Sequence, residues 1–125
     1  MAKVLVVDDE APIRALVSKI LIKDGHEVME AENGQIASDL FGRSAVDLII
    51  TDLVMPEKNG IEMILELKKN NPGVNVIAIS GGVGFSGYFD LLSVAQLLGA
   101  KHIIKKPFTV DDIRRAVNDM LVSVT

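Results

Sequence analysis

A doubly wound α/β fold, with a five-stranded parallel sheet between two layers of helices, is what this sequence predicts. Three observations predict it. Short β-branched runs alternate with stretches of helical spacing, the runs are apolar at consecutive positions, and polar residues gather at their carboxyl ends. Strands that read as continuous apolar runs are buried on both faces, and right-handed crossovers lay the intervening helices on both sides of such a sheet. With 125 residues and 49% hydrophobic content, the chain can bury one real core and is short for two, so one domain over 1–125 is expected.

The first strand is predicted over Val4 to Val7. Pro12 suits the first turn of the helix whose apolar stripe is Ile13, Leu16, Val17 and Ile20. Asp24-Gly25 reads as a turn into a weak edge strand, His26 to Glu30, and Asn33-Gly34 reads as a second turn before a helix bearing Ile36 and Leu40. The third strand, Val46 to Thr51, precedes a helix spaced by Ile61, Ile64 and Leu65. After the fourth strand, Val74 to Ile79, a helix carries Tyr88, Leu91, Leu92 and Ala95 and stops near Gly99. Ile103-Ile104 forms the fifth strand. Thr109 and Asp112 make an acidic variant of the capping box for the last helix, which carries Ile113, Val117 and Met120.

A net charge of -4 and a pI near 5.1 argue against direct nucleic-acid binding or adhesion to an anionic membrane. The absence of cysteine excludes disulfides and thiolate metal sites. Asp8-Asp9-Glu10 stops the first apolar run short of a signal peptide, and no run is long enough to span a bilayer, so a soluble cytoplasmic chain is expected.

Ligands of an open parallel sheet bind beyond the carboxyl ends of its strands. At those ends stand Asp8-Asp9-Glu10, Thr51-Asp52, Ser80-Gly81-Gly82 and Lys105-Lys106-Pro107. Two carboxylates about 4 Å apart repel by roughly 4 kcal/mol at an effective dielectric of about 20, so the acidic cluster implies a divalent cation. With oxygen donors only, magnesium is preferred over zinc, and manganese is an acceptable substitute.

Asp8-Asp9, the run Asp52-Leu53-Val54-Met55-Pro56 followed by Asn59-Gly60, Ser80 closing the fourth strand, and Lys106-Pro107-Phe108 together resemble the receiver domain of two-component response regulators. The resemblance covers nearly the whole chain. It implies the flavodoxin-like strand order 2-1-3-4-5 and makes Asp52 the phosphoacceptor. By the same resemblance Asp9, Asp52 and the backbone carbonyl of Val54 hold magnesium, with Asp8 acting directly or through water. Lys106 stabilises the phosphoryl group, and Ser80 hydrogen-bonds it and draws in the loop that follows. Lys105 reads as a bystander on the surface, Met55 as packing, and His26 and His102 as exposed or edge residues.

The implied partners are a sensor histidine kinase or a histidine phosphotransfer protein, and a downstream protein target on the face built by the fourth helix, fifth strand and fifth helix. The implied oligomeric state is a monomer or a phosphorylation-dependent dimer. The chain is expected to catalyse only its own phosphorylation and slow dephosphorylation. The alternative is a pseudo-receiver, an interaction module of the same fold that is never phosphorylated; failure to bind magnesium would favour it. A haloacid-dehalogenase-type phosphatase wants a second acid two residues after its nucleophile, where Val54 stands. A flavin carrier would need amide and hydroxyl donors where the segment after the first strand is acidic.

The chain departs from the family pattern at three places. Ile103 replaces the usual aromatic switch residue, Gly81-Gly82 follow Ser80 where an alanine and then a variable side chain are common, and the 81–87 segment, with Gly81, Gly82, Gly84 and Gly87, is a few residues longer than usual. Those glycines make ordering of the loop on phosphorylation the expectation. Val54 and Gly82 occupy positions that tune the hydrolytic water, and neither offers a polar side chain to orient it. The acyl phosphate is therefore expected to persist well beyond seconds, as followed by loss of label after removal of the donor; a lifetime of only seconds contradicts this.

Overall fold

The computed structural model describes residues 2–43, 45–53, 60–80, 99 and 102–122. Its sheet contains β1 (Lys3–Val7), β2 (Glu27–Ala31), β3 (Leu48–Asp52), β4 (Asn75–Ser80) and β5 (His102–Lys105), all parallel, in the order β2-β1-β3-β4-β5. The described helices are α1 (Ala11–Lys23), α2 (Gly34–Arg43), α3 (Gly60–Asn70) and a C-terminal helix (Val110–Val122). Strand order reverses between β1 and β3, which makes the gap beyond their carboxyl ends the switch point of the sheet.

Successive strand residues face opposite ways, so each strand feeds two cores. Val4, Val6, Leu48, Ile50, Ile77, Ile79 and Ile104 face α1 and the C-terminal helix. Leu5, Val7, Ile49, Val76 and Ala78 face α2 and α3, with Met63, Ile64 and Leu67 of α3 closing that side; Ile103 packs there too. All five residues of the central strand β3 are buried. This is why its sequence shows no polar alternation and could be read as a two-sided strand.

Local signals fix the helix ends. Pro12 lies in the first turn of α1, and at its other end Gly25 takes a φ of 90° that favours glycine. Thr109 and Asp112 form the reciprocal box: Thr109 N donates to Asp112 Oδ2 at 2.8 Å, and Asp112 N donates to Thr109 Oγ1 at 3.1 Å. Asn33-Gly34 is not a free-standing turn. Asn33 Oδ1 accepts the amide of Ile36 at 2.8 Å and caps α2, with Gly34 as the first helical residue. Gly99 takes a φ of 95°, a left-handed backbone that favours glycine; the helix predicted to end there lies outside the described residues.

The apolar stripe of α1 differs from the predicted one. Leu16 is 42% exposed, whereas Leu21 is 1% exposed, and the inward face is Val17, Ser18, Ile20 and Leu21. Leu16 lies about 100° back from Val17, off the edge of that inward stripe. Leu65 is likewise exposed on α3, while Met63 and Leu67 are buried. An ion pair from Arg114 Nε to Asp24 Oδ2, 2.8 Å, links the C-terminal helix to the end of α1. No described helix is long and apolar enough to cross a membrane. The predicted helix around 88–95, the glycine-rich 81–87 segment and Val54 lie outside the described residues.

Truncating the buried leucine is expected to cost about 2–5 kcal/mol in Leu21→Ala, whereas Leu16→Ala should stay within about 0.5 kcal/mol of the parent. Urea denaturation of the two variants checks the orientation of α1, and equal losses would contradict it.

Candidate functional site

Parallel register carries the strand-end residues to one edge. Val7 lies beside Thr51, Asp52 beside Ile79, and Ser80 beside Lys105. Asp8, the residue after β1, continues the ladder by donating its amide to the Ala31 carbonyl at 3.1 Å. Its Oδ1 accepts the amide of Glu10 at 2.8 Å, and its carbonyl accepts Arg14 Nη1 at 2.7 Å. Thr51 Oγ1 donates to the carbonyl of Asp52 at 2.9 Å, which satisfies a buried hydroxyl beside the site.

Lys106 reaches across from the end of β5. Its Nζ donates to Asp52 Oδ2 at 3.1 Å and lies 3.2 Å from Asp8 Oδ2 and 3.5 Å from Glu10 Oε2. A cis peptide bond joins Lys106 to Pro107. The two inner carboxylates are buried, Asp8 at 2% and Asp52 at 5% exposure, while Asp9 is exposed at the rim. One carboxylate oxygen from each of Asp8, Asp9 and Asp52 can be chosen so that all three lie within 4.8 Å of one another.

Charge is unbalanced here. Burial pushes the Asp8 carboxyl above its ordinary 3.8, and the neighbouring Asp52 pushes it further; the Glu10 amide and the Lys106 ammonium pull it down without cancelling the rise. Burial pulls Lys106 down, but Asp52 and then Asp8 outweigh it and hold the ammonium above its ordinary 10.5. Lys106 pairs with Asp8 Oδ2 at 3.2 Å, and that buried oxygen makes no further hydrogen bond among the described residues. A buried carboxylate oxygen met only by a shared ammonium, inside an all-oxygen cluster, fits a hard divalent cation, which takes carboxylates and water as ligands.

The sequence of the chain from residue 4 to 118 matches the family model for the response regulator receiver domain. This chain belongs to that family. As a receiver domain it is 36% identical over 120 residues to the chemotaxis protein CheY of Bacillus subtilis, covering 95% of this chain and 97% of that one. It is 33% identical over 119 residues to the sporulation initiation phosphotransferase F of the same organism, covering 95% and 93%. A crystal structure of a receiver domain protein from Clostridium thermocellum superimposes with a TM-score of 0.87 at 31% identity, covering 98% of this chain and 96% of that one. Receiver domains generally bind magnesium in an acidic pocket, and a cluster of Asp8, Asp9 and Asp52 is present here.

Of the predicted site residues, Asp8, Asp9, Asp52 and Lys106 come together as the sequence implied. Ser80 holds the last position of β4, opposite Lys105, and Lys105 is exposed. Val54 falls outside the described residues. Neither histidine belongs to the site: His26 Nδ1 accepts the amide of Ala2 at 3.2 Å, and His102 lies 3.8 Å from Asp119. Two contacts escaped the sequence reading. Glu10 joins the carboxylates around Lys106, and Arg14 holds the Asp8 carbonyl while its Nε donates to Glu30 Oε1 at 3.2 Å. Glu10 follows the Asp-Asp pair directly and Arg14 lies five residues beyond it, on a helix whose sequence signal is its apolar spacing.

The sign of the Asp8 shift gives a stability test. A carboxyl held above its ordinary value keeps its proton in the folded state when the unfolded chain has lost it, so its contribution is lost as pH rises from 3.8 through the folded value. In EDTA, Asp8→Asn should be more stable than the parent at neutral pH, and the difference should disappear below the unfolded value of 3.8. Urea midpoints across pH measure it; a variant less stable at neutral pH contradicts the assignment.

Proposed function

We propose that Asp52 accepts a phosphoryl group from a phosphohistidine on a sensor kinase or histidine phosphotransfer protein, and that the resulting acyl phosphate is the signalling state of the chain. The observation that carries this reading is Lys106 Nζ set between Asp52 Oδ2 and Asp8 Oδ2 at 3.1 and 3.2 Å, with the Asp8 oxygen making no further hydrogen bond among the described residues. Asp8, Asp9 and Asp52, together with the carbonyl of Val54, would hold magnesium, or manganese in its place. The chemistry that such an ion supplies is neutralisation of charge on the phosphoryl oxygens.

An Asp52 carboxylate oxygen attacks the phosphorus in line. The phosphorus–nitrogen bond breaks, its electron pair returns to the donor imidazole, and an acyl phosphate remains. Phosphoryl transfer of this kind asks the protein mainly for position and opposite charge. β3 supplies position, because it is buried along its whole length. Lys106 supplies charge: its ammonium, held above its ordinary range, stays protonated throughout and can turn from the spent carboxylate to the incoming phosphoryl oxygens. Ser80, at the end of β4, offers the hydroxyl that would hydrogen-bond the phosphoryl group and draw in the loop behind it. That coupling, typically about 1–3 kcal/mol, would bias the face of the fourth helix, β5 and the C-terminal helix toward a downstream protein.

The relatives support the same direction, since one is named a phosphotransferase and another a chemotaxis protein. Intact-mass measurement after incubation with magnesium and acetyl phosphate or phosphoramidate tests the reading. One added phosphoryl mass is expected in the parent and none in Asp52→Ala. No gain in a folded parent at saturating magnesium would make the chain a pseudo-receiver.

A further inference from the structure

Arg14 touches none of the reacting groups, yet its side chain joins the acidic turn to the edge strand β2. Its Nη1 donates to the carbonyl of Asp8 at 2.7 Å, and its Nε donates to Glu30 on the edge strand at 3.2 Å. The Arg14 side chain is 19% exposed, Glu30 47%. We propose that Arg14 is a positioning residue for the metal pocket, setting the direction in which Asp9 leaves β1; this rests on the magnesium-dependent phosphoacceptor reading above.

The reasoning starts from peptide planarity. The carbonyl of Asp8 and the amide of Asp9 share one rigid plane, so a bond to that carbonyl also fixes the start of Asp9. Asp8 is held at two other points, through its own amide to Ala31 and its Oδ1 to the Glu10 amide. Those bonds fix the strand side and the carboxylate of Asp8. The Oδ1 bond closes a turn across Asp9, and the carbonyl bond ties that turn to α1 and, through Glu30, to the edge strand. The guanidinium suits this task because its donors are set in a fixed fork, so one held by Glu30 orients the other toward the carbonyl. Asp9 is the exposed member of the pocket and has least packing to hold it, so the turn beneath it decides where its carboxylate stands. Partners that orient metal ligands from behind commonly change affinity about 10–100-fold when removed.

Electrostatics alone predicts the opposite sign. Arg14 is a cation near a cation site, and deleting it leaves Glu30 with one less counter-charge, so a purely electrostatic role would make magnesium bind more tightly in its absence. Weaker binding can come only from lost geometry.

Calorimetric magnesium titration of the full chain, run on the parent, Arg14→Ala, Arg14→Lys and Arg114→Ala, tests the proposal. Arg14→Ala should bind magnesium about tenfold more weakly. Its labelling rate with acetyl phosphate should fall at low magnesium and recover toward the parental rate at saturation. Arg14→Lys keeps the charge and one donor but cannot span both partners, so it should fall between. Without metal, the Asp9 amide should exchange faster in Arg14→Ala than in the parent. Arg114→Ala removes an ion pair from the opposite end of α1 and should leave magnesium affinity unchanged, which separates positioning from general loosening of the helix. Equal or tighter binding by Arg14→Ala overturns the proposal, as does equal weakening in Arg114→Ala. If the parent itself binds no magnesium, the underlying reading fails and this inference falls with it.

Discussion

The ammonium of Lys106, placed among Asp8, Asp52 and Glu10, is the contact on which the architecture turns. A parallel sheet collects the ends of its strands at one edge, and in this chain those ends carry acids on β1 and β3 and a base on β5. Without the base, buried carboxylates from two adjacent strands would repel across a low-dielectric gap. The Lys106 ammonium does not balance the three acids it touches, and the raised Asp8 carboxyl is the physical form of that imbalance. The fold thus keeps a deficit of positive charge at the point where its family places an ion and a phosphoryl group.

Much of this was readable from sequence because the signals are local and redundant. Val4 to Val7 and Leu48 to Ile50 are apolar at every position, which only a strand covered on both faces requires, and parallel pairing then aligns their polar ends. Thr109 and Asp112 announced the last helix by a pairing three residues apart that the structure forms in both directions. The strand order came from resemblance, since nothing in the alternation of strands and helices distinguishes the possible placements of β2.

What the sequence concealed was rotation and long-range polar contact. Leu16 and Leu21 are equally apolar, and the choice of which faces the sheet depends on how α1 is set against β1 and the C-terminal helix. Asn33-Gly34 has the composition of a turn, and only the bond from Ile36 shows that it opens α2. Arg14 and Glu30 are 16 residues apart and meet only after β2 has paired with β1, so no short-range pattern could join them. Surface arginines at the start of a helix are commonplace.

The burial of β3 on both faces also orders the molecule in time. Protein segments open independently when few contacts hold them, and a central strand flanked by β1 and β4 and covered by two cores belongs to the last unit to open. Asp52 sits at the end of that strand, whereas β2 and β5 lie on the sheet margins. Sub-global fluctuations can therefore fray a margin while the Asp52 carboxylate keeps its place. The carboxylate proposed to take the phosphoryl group is thus anchored in the part of the chain least able to forget its position.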